Sequence, residues 1–203
     1  MPEIKALFWD VGGVLLSNAW DRTQRALALQ KFQLDEVEFH DRHEMLVSSF
    51  ERGKITLDEY LDRTVFYRDR PFTREEFKDF VLSLSQPNPE ALDFALALGS
   101  SCNYLMATIN NESKDLNLYR IEKFKLRPIF DLFVSSCYVG LRKPEIGIYQ
   151  LALDITQQKP EETCFIDDRE LNLESAAKLG MHPIKMENAR QLQQALGSFG
   201  VKP

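Results

Sequence analysis

Three carboxylates and one amine in this chain have the types and the placement to hold a divalent cation and a phosphate beside a nucleophile. Asp10 closes the apolar run Leu7-Phe8-Trp9, and Asp167-Asp168 closes a second run, Cys164-Phe165-Ile166. Lys143 lies between them in sequence, after Gly140-Leu141-Arg142 and before Pro144. A carboxylate can attack phosphorus to form an acyl phosphate, which splits hydrolysis into two easier steps. It then needs nearby positive charge to offset repulsion from the phosphoryl oxygens. The other reading of Asp10 is a strand-terminal carboxylate satisfied by turn N–H groups, and the residues alone leave both open.

The neighbouring residues extend this chemistry. Asp167 and Asp168 at a strand end can both serve Mg²⁺, which takes few protein oxygens alongside water and phosphate; alternatively Asp168 caps the next turn. Adjacent buried acids repel and raise one pKa unless a cation lies between them. Lys143 can neutralise phosphate and acids together, with Arg142 as the competing cation and a solvated loop lysine as the plainer reading. Gly12 and Gly13 make a compact turn that lets backbone groups approach a small anion. Asn110 and Asn111, before Glu112-Ser113, carry amides that can donate to a phosphoryl oxygen, although helix capping by Asn111 explains the same residues.

The elements that must position these groups alternate. Residues 4–8 with Trp9, 104–109, 132–135, 163–166 and 182–185 read as short buried strands; 90–98, 113–124, 172–179 and 190–196 read as helices, and a further helix starts at Pro144. Gly99 and Gly180 are expected to stop the helices before them. This alternation predicts βαβ units, an α/β fold with a parallel Rossmann-like sheet covered by helices on both faces. In such a sheet the ligand site lies beyond the carboxyl ends of the strands, where Asp10, Asn110-Asn111 and Asp167-Asp168 all fall.

Residues 17–86 differ. Ser17-Asn18 are candidate helix caps, residues 35–52 have helical periodicity, and Thr56/Glu59 and Thr73/Glu76 have capping-box spacing. The expected organisation is an α/β core from 1–16 and 87–203 with a small all-helical insert, 17–86, after the first strand. Trp20 either faces the site entrance as a substrate contact or packs insert against core.

With 203 residues, 44% hydrophobic and 28% charged, the chain can bury a sizeable core. A net charge of −6 gives no general attraction to nucleic acid or anionic membrane. The N-terminal apolar run is interrupted by Asp10 and is too short to span a bilayer. Cys102, Cys137 and Cys164 are odd in number and set among apolar residues, as buried thiols in a reducing compartment would be. The expectation is a cytoplasmic protein, monomeric or a weak homodimer, without nucleic-acid or membrane partners.

Read in order, these residues resemble the haloacid dehalogenase-like hydrolase superfamily. The first motif is Leu7-Phe8-Trp9-Asp10-Val11-Gly12-Gly13-Val14-Leu15 and the second ends Ala107-Thr108-Ile109-Asn110-Asn111. The third is Lys143 in Gly140-Leu141-Arg142-Lys143-Pro144, and the fourth is Phe165-Ile166-Asp167-Asp168-Arg169-Glu170-Leu171-Asn172. The resemblance implies that Asp10 is the nucleophile and that Asp10, the Gly12 carbonyl and Asp167 hold Mg²⁺, with Asp168 ligating or orienting a metal-bound water. It implies a helical C1 cap and a small phosphorylated metabolite as substrate, sugar phosphates favoured. Asn110 takes the place of the family's usual Ser or Thr.

One acid is missing. Family phosphatases carry a second aspartate two residues after the nucleophile, where this chain has Gly12. General acid–base help is worth about 10²–10⁴-fold, so its loss slows turnover without preventing metal or phosphate binding; a water or an insert residue such as His43 would have to substitute. Two alternatives follow: a catalytically weak or inactive phosphate-binding or interaction protein, and a 2-haloacid dehalogenase. The second is disfavoured because a metal-free site attacking an anionic substrate would not keep both Asp167 and Asp168 charged beside it.

Overall fold

The computed structural model describes residues 3–203, so the first two residues of the expected 1–16 segment lie outside the description. Five strands, β1 (Ala6–Trp9), β2 (Leu105–Asn110), β3 (Leu132–Ser135), β4 (Thr163–Asp167) and β5 (His182–Lys185), form one sheet. Every pairing is parallel and the order is β3-β2-β1-β4-β5. β1 is short and wholly buried because both of its faces are covered. Leu7 and Trp9 face one apolar cluster with Met106 and Ile166; Ala6 and Phe8 face another with Ile109 and Phe165. This is the period-two alternation of a strand packed on both sides.

The helices are α1 (Arg22–Lys31), α2 (Glu36–Glu51), α3 (Leu57–Thr64), α4 (Arg74–Ser83), α5 (Pro89–Ser101), α6 (Lys114–Lys123), α7 (Ser136–Val139), α8 (Ile146–Thr156), α9 (Glu170–Lys178) and α10 (Ala189–Ser198). Helices α1–α4 gather around their own apolar cluster, which includes Leu29, Phe39, Phe50, Tyr60 and Phe77. Both expected capping boxes open α3 and α4 as reciprocal side-chain and backbone bonds. The chain leaves and rejoins the sheet region at one place: Leu16 and Pro87 form an antiparallel bridge, and Ser17 N donates to Gln86 O at 2.7 Å.

Four details depart from the sequence expectations. Asp21, not Ser17 or Asn18, caps α1 by accepting from Thr23 N and Gln24 N, which leaves the Asn18 side chain for another task. Gly99 does not stop α5. The helix runs through it to Ser101, and a Cβ at Gly99 would lie 2.6 Å from Ile129 O, so the residue is small for close packing. Pro144 precedes α8 without entering it. Cys102 is exposed, whereas Cys137 and Cys164 are buried.

Candidate active site

The parallel register sets the site. Trp9 lies opposite Ile166, so the next residues, Asp10 and Asp167, emerge side by side at the carboxyl edge of β1 and β4, and Asp10 N donates to Ile166 O at 2.8 Å. Lys143 comes from the segment after α7, which turns at Gly140 with φ of 70°. Its ammonium bridges the two strands, 2.9 Å from Asp10 Oδ2 and 2.7 Å from Asp167 Oδ2. Asn111 fixes that segment reciprocally: its Nδ2 donates to Lys143 O at 2.9 Å and its Oδ1 accepts from Lys143 N at 2.8 Å.

Each acid is held differently. Asp10 Oδ1 accepts from Val11 N at 2.8 Å. Asp167 Oδ1 accepts from Arg169 N at 2.8 Å, and Asn172 Nδ2 lies 3.0 and 2.9 Å from the two Asp167 oxygens. Asp168 lies beyond the strand end, so both members of the pair turn to the same side. One oxygen from each of Asp10, Asp167 and Asp168 lies within 4.8 Å of the others. Asp168 Oδ1 is buried without a hydrogen-bond partner. Gly13, at φ of 78°, is backed directly by the Asp168 carboxylate, so neither the backbone angle nor the space admits a side chain there.

The electrostatics are unbalanced. Burial raises the Asp10 carboxyl to about 7, with Lys143 opposing and Asp167 and Asp168 adding to the rise. Burial and the Asp167 charge likewise raise Asp168. Burial works against the Lys143 charge, but Asp10 and Asp167 overcome it and hold the ammonium above its ordinary range. Three acidic groups share one ammonium, more acid than that resident cation balances, and a divalent cation would favour their ionised forms. The oxygen-only donor set, the unpartnered Asp168 atom and the charge deficit all fit Mg²⁺ better than a nitrogen- or sulfur-seeking metal.

Gly12 is buried beneath the Asn18 side chain. A Cβ placed on it would lie 2.7 Å from Asn18 Oδ1 and 3.3 Å from Arg120 Nη1. Asn18 therefore fills the volume that a side chain at position 12 would need, and the Asn18 amide also favours the ionised form of Asp168. Arg120 is almost fully buried, pairs with Glu112, and donates to Ser85 Oγ at 3.0 Å and Ser17 O at 2.6 Å. One side chain from α6 thus fastens both crossings between the sheet region and helices α1–α4.

The remaining expected residues separate. Asn110 ends β2, 1% exposed, with neither amide atom partnered. Trp20 lines the cavity above the acids and also packs edge-on against Phe39 and Phe77. His43 is no proton source: it is buried, its Nδ1 lies 2.7 Å from Tyr60 OH, and burial lowers it to about 3. Sequence reasoning missed the roles of Asn18, Asn172 and the Glu112–Arg120 pair. Only Asn172 carried a signal, by following Asp167 within the same short motif.

A Rossmann-like sheet with this cluster at the ends of its central strands defines a class of hydrolase. A haloacid dehalogenase-like hydrolase profile matches residues 4–180. D-ribitol-5-phosphate phosphatase of Bacteroides thetaiotaomicron is 26% identical over 95% of this chain and 97% of its own length. Bifunctional epoxide hydrolase 2 of Sus scrofa is 26% identical over 96% of this chain, which spans only 39% of that protein's length. The structure of a HAD-family enzyme from Bacteroides thetaiotaomicron superposes with a TM-score of 0.80 at 25% identity, covering 92% of this chain and 95% of that one. A further structure of that enzyme, at TM-score 0.74 and 24% identity over 91% and 95% of the two chains, is a complex with magnesium and inorganic phosphate. The chain belongs to the haloacid dehalogenase-like hydrolases.

Proposed function

We propose that the chain is a Mg²⁺-dependent phosphomonoester hydrolase for a small phosphorylated metabolite, working through an aspartyl phosphate on Asp10. The observation that carries this reading is the Lys143 ammonium seated between Asp10 and Asp167 with Asp168 beside them. Asp10, the Gly12 carbonyl, Asp167 and Asp168 would hold Mg²⁺, which when bound neutralises phosphoryl charge and favours the ionised Asp10. Asp10 attacks phosphorus, the ester P–O bond breaks, and the leaving oxygen takes a proton from solvent water; a second water then attacks the acyl phosphate, releasing inorganic phosphate and regenerating the Asp10 carboxylate. Lys143 offsets charge on the phosphoryl oxygens, and the free Asn110 amide supplies a donor for one of them. Asn111 acts through Lys143 by holding its backbone, and Gly13 keeps the turn tight against Asp168.

Helices α1–α4, within 17–86, act in this reading as a C1 cap over a core of 1–16 and 87–203. Support comes from their separate apolar cluster and from the Leu16–Pro87 bridge where the two crossings meet. The named activity of the ribitol-phosphate relative and the magnesium-phosphate complex of the structural neighbour support phosphorus chemistry. At position 12, the Asn18 amide can donate a hydrogen bond to a leaving oxygen but cannot transfer a proton at ordinary pH. That favours esters with good leaving groups, and it is also the observation behind a second reading, phosphate binding without meaningful turnover. A dehalogenase reading is disfavoured by the uncompensated acid cluster, which would repel a carboxylate substrate in the absence of metal.

The test is a set of small phosphate esters assayed with Mg²⁺ and with chelator, comparing the wild type with Asp10→Asn. Release of phosphate that needs both the metal and Asp10 is expected. Metal binding without hydrolysis would transfer the protein to the second reading, and metal-independent halide release from a 2-haloacid would overturn the first.

A further inference from the structure

We propose that the organic part of the substrate is hydrocarbon-like: the site takes the phosphate ester of an apolar alcohol in preference to a polyol phosphate. This rests on the phosphatase reading and concerns the cavity above the acids. That cavity holds about 680 Å³, within the ordinary range for a small-molecule site, and runs from Asp10 and Lys143 up between the helices α1–α4. Its walls present Trp20, just before α1, and Val47, Phe50, Leu57, Leu61 and Val81 from the helices.

The polar atoms on those walls are largely occupied. Trp20 Nε1 donates to Tyr60 OH at 3.1 Å, and Tyr60 OH lies 2.7 Å from His43 Nδ1, so the two aromatic residues offer the cavity little beyond carbon. Arg142 pairs with Glu51 at 3.0 Å, Lys78 with Asp58 at 2.7 Å, and Arg25 Nη1 donates to Trp20 O at 2.7 Å. Arg25 Nε is a buried donor with no partner, and the exposed guanidiniums of Arg22 and Arg169 also line the cavity. So few free donors suit one or two acceptors on an otherwise apolar body. A sugar phosphate would bring several hydroxyls to the same walls, and each one left without a partner costs about tenfold in affinity. Each methylene buried there gains about fourfold. The two effects act in opposite directions on the same surface, so this chain departs from the sugar-alcohol ester named for its Bacteroides relative.

The experiment measures kcat/KM, with Mg²⁺, for n-alkyl phosphates from ethyl to octyl alongside ribitol 5-phosphate and glucose 6-phosphate. The expected result is a rise of about fourfold per methylene over the first several carbons, with the sugar phosphates no better than ethyl phosphate. Val47→Asp should flatten the chain-length series, and Val47→Leu should keep its slope and shows that position 47 tolerates change. Calorimetric binding of the same esters reads the walls independently of turnover. Tightening with chain length but no hydrolysis would overturn the phosphatase reading alone. A flat or falling series, or preference for the sugar phosphates, would overturn the apolar-substrate proposal and leave the phosphatase reading standing.

Discussion

The floor of the cavity and its helical walls are built on opposite principles. The floor is polar, buried and tied atom by atom: Lys143 bonds both Asp10 and Asp167, and Asn111, Asn172 and the Val11 and Arg169 amides fix them in turn. The walls are apolar faces of α1–α4 that also pack the cluster around Phe39 and Phe77. The difference teaches where chemistry and selectivity reside. The parallel sheet fixes the polar groups by its register, and the packed helices set the shape and polarity of the space above them. The two parts meet through few contacts. Ser136 Oγ donates to Glu51 O at 2.6 Å, Arg52 donates to Gly140 O at 2.8 Å and pairs with Glu145, and Arg142 pairs with Glu51. These contacts tie α2 to residues 136–145, the stretch that carries Lys143, while Arg120 separately fastens Ser17 and Ser85.

The largest effect is expected on the floor. Asp10→Asn should lower kcat/KM by about 10⁴-fold or more, as loss of a nucleophile does, while a thermal melt shows the fold intact. An activity loss below tenfold would remove the contrast between floor and walls. Lys143→Met comes next. It leaves three carboxylates without their ammonium, and losing one partner of a buried pair costs about 3–5 kcal/mol. Chemical denaturation should show that loss in metal-free protein and a partial recovery with Mg²⁺; equal stability of variant and wild type would mean the acids are already protonated.

Metal and pH should act together. The Asp10 carboxyl is raised to about 7 in the folded chain. Its contribution to stability is therefore complete below the unfolded carboxylate range and lost as pH rises through about 7. A bound cation reverses that by favouring the ionised form. Differential scanning calorimetry should show a larger Mg²⁺-induced rise in Tm at about pH 8 than at about pH 5.5. Equal shifts would contradict the buried, shared carboxylate cluster.

The smallest effect sharpens the contrast at its boundary, where Asn18 from the insert side fills the space over Gly12. Gly12→Asp alone must push Asn18 aside and should gain little. Combined with Asn18→Ala it should accelerate esters of poor leaving groups by about 10²-fold and good ones hardly at all, as an added general acid would. Equal rates for single and double variants would show that Asn18 is not what limits position 12.

The sheet and the acids were legible because strand ends carry them: an apolar run closed by Asp is a local pattern, and parallel pairing brings such ends to one edge. Leu132–Ser135 and His182–Lys185 form the strands their short apolar patterns indicate. The two Thr/Glu capping boxes were legible for the same local reason. Nothing local marked Asn18, which reads as a cap until Asp21 is seen to do that work. Nor did spacing reveal Arg120, whose partners Ser17, Ser85 and Glu112 come together only in the folded chain. The walls were illegible for a third reason. An apolar helix face looks the same in sequence whether it fills a core or lines a cavity, so Val47 and Leu57 carried no sign that they line one.

The most direct measurement is mass spectrometry of protein quenched in acid during steady turnover of a good-leaving-group ester with Mg²⁺. A peptide containing Asp10 that has gained one phosphoryl group, absent in Asp10→Asn, is the predicted result. Sustained phosphate release with no such adduct on Asp10, or the adduct on another residue, would contradict it.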